Sequence, residues 1–170
     1  PGTPMSSFQA FYGNNDDIRI VSGNILSGKT VGKEGYLGFY SNEVTVLKEG
    51  TEKELFGWLD PIRPKVYSQD RTAFSWLFCG KKYDMDTNLH GGPRAFVMSD
   101  SYYSKVLPMD IYPIYLIKAC LAGDIDKMEQ FGIYEVIPED FALCEYIDPS
   151  KNYIQEIIAD GISLMLKEME

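Results

Sequence analysis

Asp110-Ile111-Tyr112-Pro113-Ile114-Tyr115-Leu116-Ile117-Lys118-Ala119-Cys120-Leu121-Ala122-Gly123-Asp124 is the stretch on which the reading of the fold turns. Asp110 can cap a helix over Ile111 to Ala122. Ile114, Ile117 and Leu121 recur at the spacing that lines one helix face, and Gly123 supplies the stop. Asp124 then caps a second short helix that ends at Gly132, and Pro138-Glu139-Asp140 opens a third through Cys144 to Ile147. Asp148-Pro149 opens a fourth, with aspartate as N-cap and proline at the first helical position. Ile154, Ile157, Ile158, Ile162, Met165 and Leu166 follow at helical spacing, so the carboxy-terminal third is predicted to be a small helical bundle.

Working outward, residues 1 to about 60 read as a small α+β unit. Thr3 as N-cap and Pro4 at the first position predict a short helix to about Tyr12. Asp17 to Val21 and Glu43 to Leu47 alternate polar and β-branched residues before Ser22-Gly23 and Glu49-Gly50, which predicts two strands ended by glycine turns. Leu55 to Leu59 and Arg94 to Met98 predict further short strands, with Pro61 and Pro64 breaking regular structure between them. Trp58 and Trp76 read as core anchors, and Lys81 to Gly92 as a long polar loop. The fold class expected is α+β, arranged as a first module over 1–60, a short-stranded connector over 61–105 and a helical bundle over 106–170. Pro1-Gly2-Thr3-Pro4 reads like the middle of a structural unit, so the sequence is expected to be part of a longer chain.

The net charge of −9 over 170 residues repels phosphate backbones and anionic headgroups, which argues against nucleic acid as a partner. No run approaches the roughly 20 apolar residues of a membrane span, and Pro1 to Ser7 lacks the regions of a signal peptide. Three widely spaced cysteines, Cys79, Cys120 and Cys144, argue for a reducing, cytoplasmic compartment and against a disulfide framework.

Gly23-Asn24-Ile25-Leu26-Ser27-Gly28-Lys29-Thr30 formally matches the phosphate-loop string G-x4-G-K-[ST]. A working phosphate loop leads into a helix whose amino-terminal amides hold the phosphates. Here Val31-Gly32-Lys33-Glu34-Gly35 carries two glycines where that helix should grow, each costing about 1 kcal/mol against alanine. A glycine turn in a sheet-rich domain is the favoured reading. Metal or cluster binding needs several ligands together, and the chain has neither CxxC nor HxxxH; Cys144 reads as a buried core thiol. His90 is the sole imidazole and sits beside the Gly91-Gly92 turn, so no nucleophile and base pair can be assembled. The paired carboxylates Asp84 and Asp86, Asp124 and Asp126, and Glu139 and Asp140 read as caps or solvated faces. No catalytic, cofactor-binding or metal-binding residue is expected.

Three sets of words carry a likeness. They are Asp86-Thr87-Asn88-Leu89-His90-Gly91-Gly92-Pro93-Arg94-Ala95-Phe96-Val97-Met98 with Val106 to Pro113, then Leu121-Ala122-Gly123-Asp124, and Glu139-Asp140-Phe141-Ala142-Leu143-Cys144. In this order they resemble the carboxy-terminal half of the A subunit of the bacterial sodium-translocating NADH:quinone reductases, and Asp17 to Gly28 is similar to that family's β-grasp module of the soluble-ligand-binding (SLBB) type. The resemblance implies a cytoplasmic subunit, peripheral on the inner face of the inner membrane. Its partners would be the other subunits of a six-subunit pump, above all the membrane-embedded one beside it. It also implies that FMN, FAD, the iron-sulfur cluster and NADH belong to other subunits, that ubiquinone is a possible ligand of the full subunit, and that no cofactor sits in this chain. Cys144-x3-Asp148-Pro149 resembles a relic of a cluster-binding ending, with Asp148 where some relatives carry cysteine. Gly91, Gly92 and Arg94 are the candidate partner contacts, because a glycine turn beside an arginine presents backbone amides and a cation together. The alternative is a stand-alone domain that binds a nucleotide or another small ligand through Gly23 to Thr30.

Overall fold

The computed structural model describes residues 2–13, 15–52, Leu77, Gly80, Lys82, 85–88, 100–148 and 150–169. These fall into two compact units, the described residues up to Asn88 in one and those from Asp100 onward in the other. The architecture is α+β, a three-stranded antiparallel sheet in the first unit and helices in the second.

In the first unit the strands are β1 (Ile18–Ser22), β2 (Lys29–Val31) and β3 (Val44–Lys48), in the order β2-β1-β3. Ile20 stands opposite Val31 on one side and Val46 on the other, and Ser22 opposite Lys29 and Val44. Opposed residues share a face, so this register gathers the apolar side chains of β1 and its neighbours. Over that face lie a 3-10 turn (Met5–Phe8) and the one-turn helix α1 (Gln9–Tyr12), whose Met5 and Tyr12 bury with Ile20 and Leu37. The Tyr12 hydroxyl donates to the Met5 carbonyl at 3.0 Å, satisfying both groups inside the core. Pro4, extended at φ −66 and ψ 140, occupies the N-cap instead of Thr3, with no side-chain cap, and the Thr3 carbonyl accepts from Leu37 N–H at 2.9 Å. Both expected strands are present, each shifted one residue later. β2 was not expected: Lys29 to Val31 is too short to show a period.

In the second unit α2 (Asp100–Tyr103), α3 (Pro113–Ala122), α4 (Ile125–Gln130), α5 (Ala142–Ile147) and α6 (Ile154–Met169) surround one core. Leu116, Ile117, Met128, Phe141, Ile154 and Ile158 are fully buried in it. α3 starts at Pro113 with Tyr112 as N-cap, so Asp110 does not cap it. Proline has no N–H to lose at the first position, and its fixed φ sets the start there. Gly123, at φ +64, ends α3 as read from the sequence, and Asp124 caps α4 by accepting from Lys127 N–H at 3.1 Å. The third helix begins as a 3-10 turn (Pro138–Phe141), where Asp140 accepts from Ile137 N–H at 3.0 Å, before it becomes α5. α6 begins at Ile154 and not beside Asp148, which is the C-cap of α5. Of the expected stripes, Ile114, Ile117, Ile154, Ile158 and Met165 are buried, whereas Leu121 and Leu166 face solvent. α6 lies against α3 at Gly161, where an added Cβ would lie 2.5 Å from Cys120 Sγ.

Candidate functional site

Gly91, Gly92 and Arg94 lie outside the described residues, as do His90, Cys79, Trp58, Trp76 and the two strands expected at 55–59 and 94–98. Most of the polar loop expected at 81–92 does so too. Of that loop, Asp86 bridges to Lys48 beside β3. Thr87 there accepts from Gly50 N–H at 2.7 Å and donates to Glu49 at 3.0 Å. Arg19 closes on the same carboxylate with two bonds of 3.0 and 2.5 Å. The Arg19 hydrogen bonds, and then that of Thr87, hold Glu49 below the usual carboxylate range.

The Gly23 to Thr30 loop is the tip of the β1-β2 hairpin. Asn24 Oδ1 accepts from the backbone N–H groups of Leu26 and Ser27, both at 2.8 Å, and Gly28 N–H donates to the Asn24 carbonyl at 2.9 Å. An asparagine that closes its own turn uses the amides that a phosphate would need. Lys29 and Thr30 continue into β2 instead of a helix, so no helix amino terminus is presented. Gly28 is required there, because an added Cβ would run into the Asn24 carbonyl and the Val21 side chain. The geometry is a hairpin, not a phosphate loop.

The helical unit holds a buried polar cluster at the end of α5. Asp148 is fully buried, and its carboxylate accepts from Asn152 N–H and Asn152 Nδ2, both at 2.8 Å, and more weakly from Ser150 N–H at 3.4 Å. Lys151, just before Asn152, takes a positive φ of +51. Tyr103 is buried beside Asp148, with a hydroxyl that finds no hydrogen-bond partner among the described residues. Burial first, then the Asp148 charge, holds that hydroxyl protonated well above its ordinary range. One turn back, Cys144 is fully buried and desolvation pushes its thiol up to about 12; Cys120 is pushed up to about 11 by the same cause. Neither offers a thiolate near neutral pH, so neither is placed to act as a nucleophile. Among the described residues no three His, Cys, Asp or Glu side chains come together to hold a metal ion.

Sequence reading missed an exposed aromatic face in the same unit. Tyr112 and Tyr115 meet edge to face with ring centres 6.1 Å apart, and Tyr115 leans on Phe131 at 5.6 Å. The signal was available: two tyrosines three apart, at the N-cap and in the first turn of α3, fall on one side of it.

No family model matches the chain. Curated relatives do. The A subunit of the Na(+)-translocating NADH-quinone reductase of Yersinia pestis bv. Antiqua (strain Angola) is 38% identical over 168 residues, 98% of this chain and 37% of that protein. The corresponding A subunit of Actinobacillus pleuropneumoniae serotype 5b (strain L20) is 40% identical over 169 residues, and that of Shewanella frigidimarina (strain NCIMB 400) 37% over 168, with the same shares covered. This chain is homologous to part of the A subunit. It spans a little over a third of the length of these relatives. The A-subunit likeness runs through both units, since 98% of the chain is matched. No helix among the described residues is long and apolar enough to cross a membrane.

Proposed function

We propose that this chain serves as the carboxy-terminal part of such an A subunit, a peripheral component of a sodium-pumping NADH:quinone reductase on the cytoplasmic face of the membrane. In this reading it holds neighbouring subunits in place and carries no redox group of its own. The observation that supports it most is the identity of 37–40% sustained over 98% of the chain to proteins named as that subunit. The protonated thiols, Cys144 buried and Cys120 half-buried, and the self-closed hairpin fit a part that organises neighbours rather than one that reacts.

Within that reading the three-stranded unit is the soluble-ligand-binding, β-grasp-like module, the flavins, the iron-sulfur cluster and NADH stay on other subunits, and ubiquinone is a ligand of the full-length subunit. Gly91, Gly92 and Arg94 make contacts to the membrane-embedded neighbour, through backbone amides and a guanidinium. Replacing Arg94 with alanine in the full-length protein is expected to weaken its retention on the complex and lower NADH-dependent quinone reduction. Retention and rate both unchanged would remove Arg94 from the contact. Titration with ATP is expected to give no binding heat. Micromolar binding abolished by Lys29→Ala would turn the reading towards a nucleotide-binding domain.

A further inference from the structure

The geometry points to the face formed by Tyr112, Tyr115 and Phe131 as the seat of a basic, arginine- or lysine-bearing segment of a neighbouring protein subunit. This rests on the reading that the chain works inside an assembly, and it names the chemistry of one partner segment. Tyr112 is 67% exposed and Tyr115 55%, yet each ring is fixed by the next: the Tyr112–Tyr115 pair crosses at 86°, and Tyr115 meets Phe131 at 37°. Rings already ordered by one another lose little freedom when a partner covers them, which is what makes tyrosine an effective contact residue.

Charge selects the occupant. Gly132, next to Phe131, has φ +88, and a Cβ added there would lie 3.3 Å from Ile111 Cγ2 and 4.0 Å from Glu135 Cδ, so Ile111 and the Glu135 carboxylate flank this backbone. Asp110 precedes Ile111 and is exposed. Glu129 accepts from the Tyr134 hydroxyl at 2.6 Å. From 110 to 135 the chain carries Asp110, Asp124, Asp126, Glu129 and Glu135 against Lys118 and Lys127, a net of −3, and Lys127 is paired with Asp124. Lys118 stands one turn beyond Tyr115 on α3. The net negative charge of this stretch disfavours a phosphate or an acidic segment. A guanidinium or ammonium group is drawn both to the ring faces and to the carboxylates.

The experiment uses the full-length protein in the assembled complex. Tyr115 is replaced by photoactivatable benzoylphenylalanine, the complex is irradiated, and the crosslinked peptide is sequenced by mass spectrometry. The expected product joins this chain to a lysine- or arginine-bearing peptide of another subunit. Tyr112→Ala and Tyr115→Ala are each expected to weaken retention by about 3- to 30-fold, the range of a cation over an aromatic face. Tyr115→Phe should keep most of it, and Asp110→Lys with Glu135→Lys should lose it. Unchanged circular dichroism of each variant guards against misfolding. In an intact complex, a crosslink to a peptide without lysine or arginine, to lipid or to a second copy of this chain, or no crosslink at all, overturns the proposal. Charge-reversed protein retained like wild type does so as well. Failure of the wild-type protein itself to enter the complex would instead bring down the functional reading, and this proposal with it.

Discussion

Asp148 shows how a single carboxylate can organise a loop that its neighbours in sequence do not announce. Followed by proline, it has the signature of a helix start, yet its oxygens are taken up by Asn152 and Ser150, and α6 waits until Ile154. The Asp-Pro pair was legible in the sequence; that the acceptor is spent inside the loop was not, because the choice is made by burial beside Tyr103 and Cys144. Asp148→Ala leaves the Asn152 donors buried without partners and is expected to cost about 2–4 kcal/mol in urea unfolding. A loss below about 0.5 kcal/mol would mean that water replaces the carboxylate. The thiols of Cys144, buried, and Cys120, half-buried, give a pH dependence. Burial raises Cys144 from 9.0 to about 12 and Cys120 from 9.0 to about 11. Between those limits the unfolded thiols ionise while the folded ones stay protonated, so the folded state binds more protons and stability falls as pH rises. Stability is therefore expected to be unaffected by these groups below about pH 8 and to decline from about pH 9 upward. A Cys120→Ala, Cys144→Ala variant should show a shallower alkaline decline than wild type in thermal melts at stepped pH.

Two close approaches carry the elements. Gly28 lets the β1-β2 tip fold back over Val21, and Gly161 lets α6 lie against Cys120 of α3. The flanking strands and helices were legible because periods of two and of about 3.6 survive in Ile18–Ser22, Pro113–Ala122 and Ile154–Met169. The glycines were not read as packing residues, since nothing local says which side chain will arrive from a distant part of the chain. Gly161→Val is expected to destabilise the chain by about 1–3 kcal/mol through overpacking, more than the gain in helix propensity returns. Adding Cys120→Ala to that variant should recover part of the loss, and full additivity of the two changes would show that the helices do not meet there. Gly28→Ala should lower the melting temperature through a clash with backbone that cannot move aside.

At the scale of the molecule, the net charge of −9 repels anionic lipid and nucleic acid. The α+β class and the helical bundle followed from sequence periodicity. The family likeness came from the order of short words, such as Leu121-Ala122-Gly123-Asp124, that no periodicity distinguishes. The aromatic face was harder to see, because Tyr112, Tyr115 and Phe131 become one surface only when α3 and α4 pack together. The most direct measurement is affinity purification of the full-length protein that carries this chain from gently solubilised membranes of its own cells, followed by mass spectrometry and an assay of NADH-dependent quinone reduction. The expected result is co-purification of the remaining pump subunits at a constant ratio, together with sodium-stimulated activity. A protein recovered alone, with the reductase intact and active in the unbound fraction, would contradict the account.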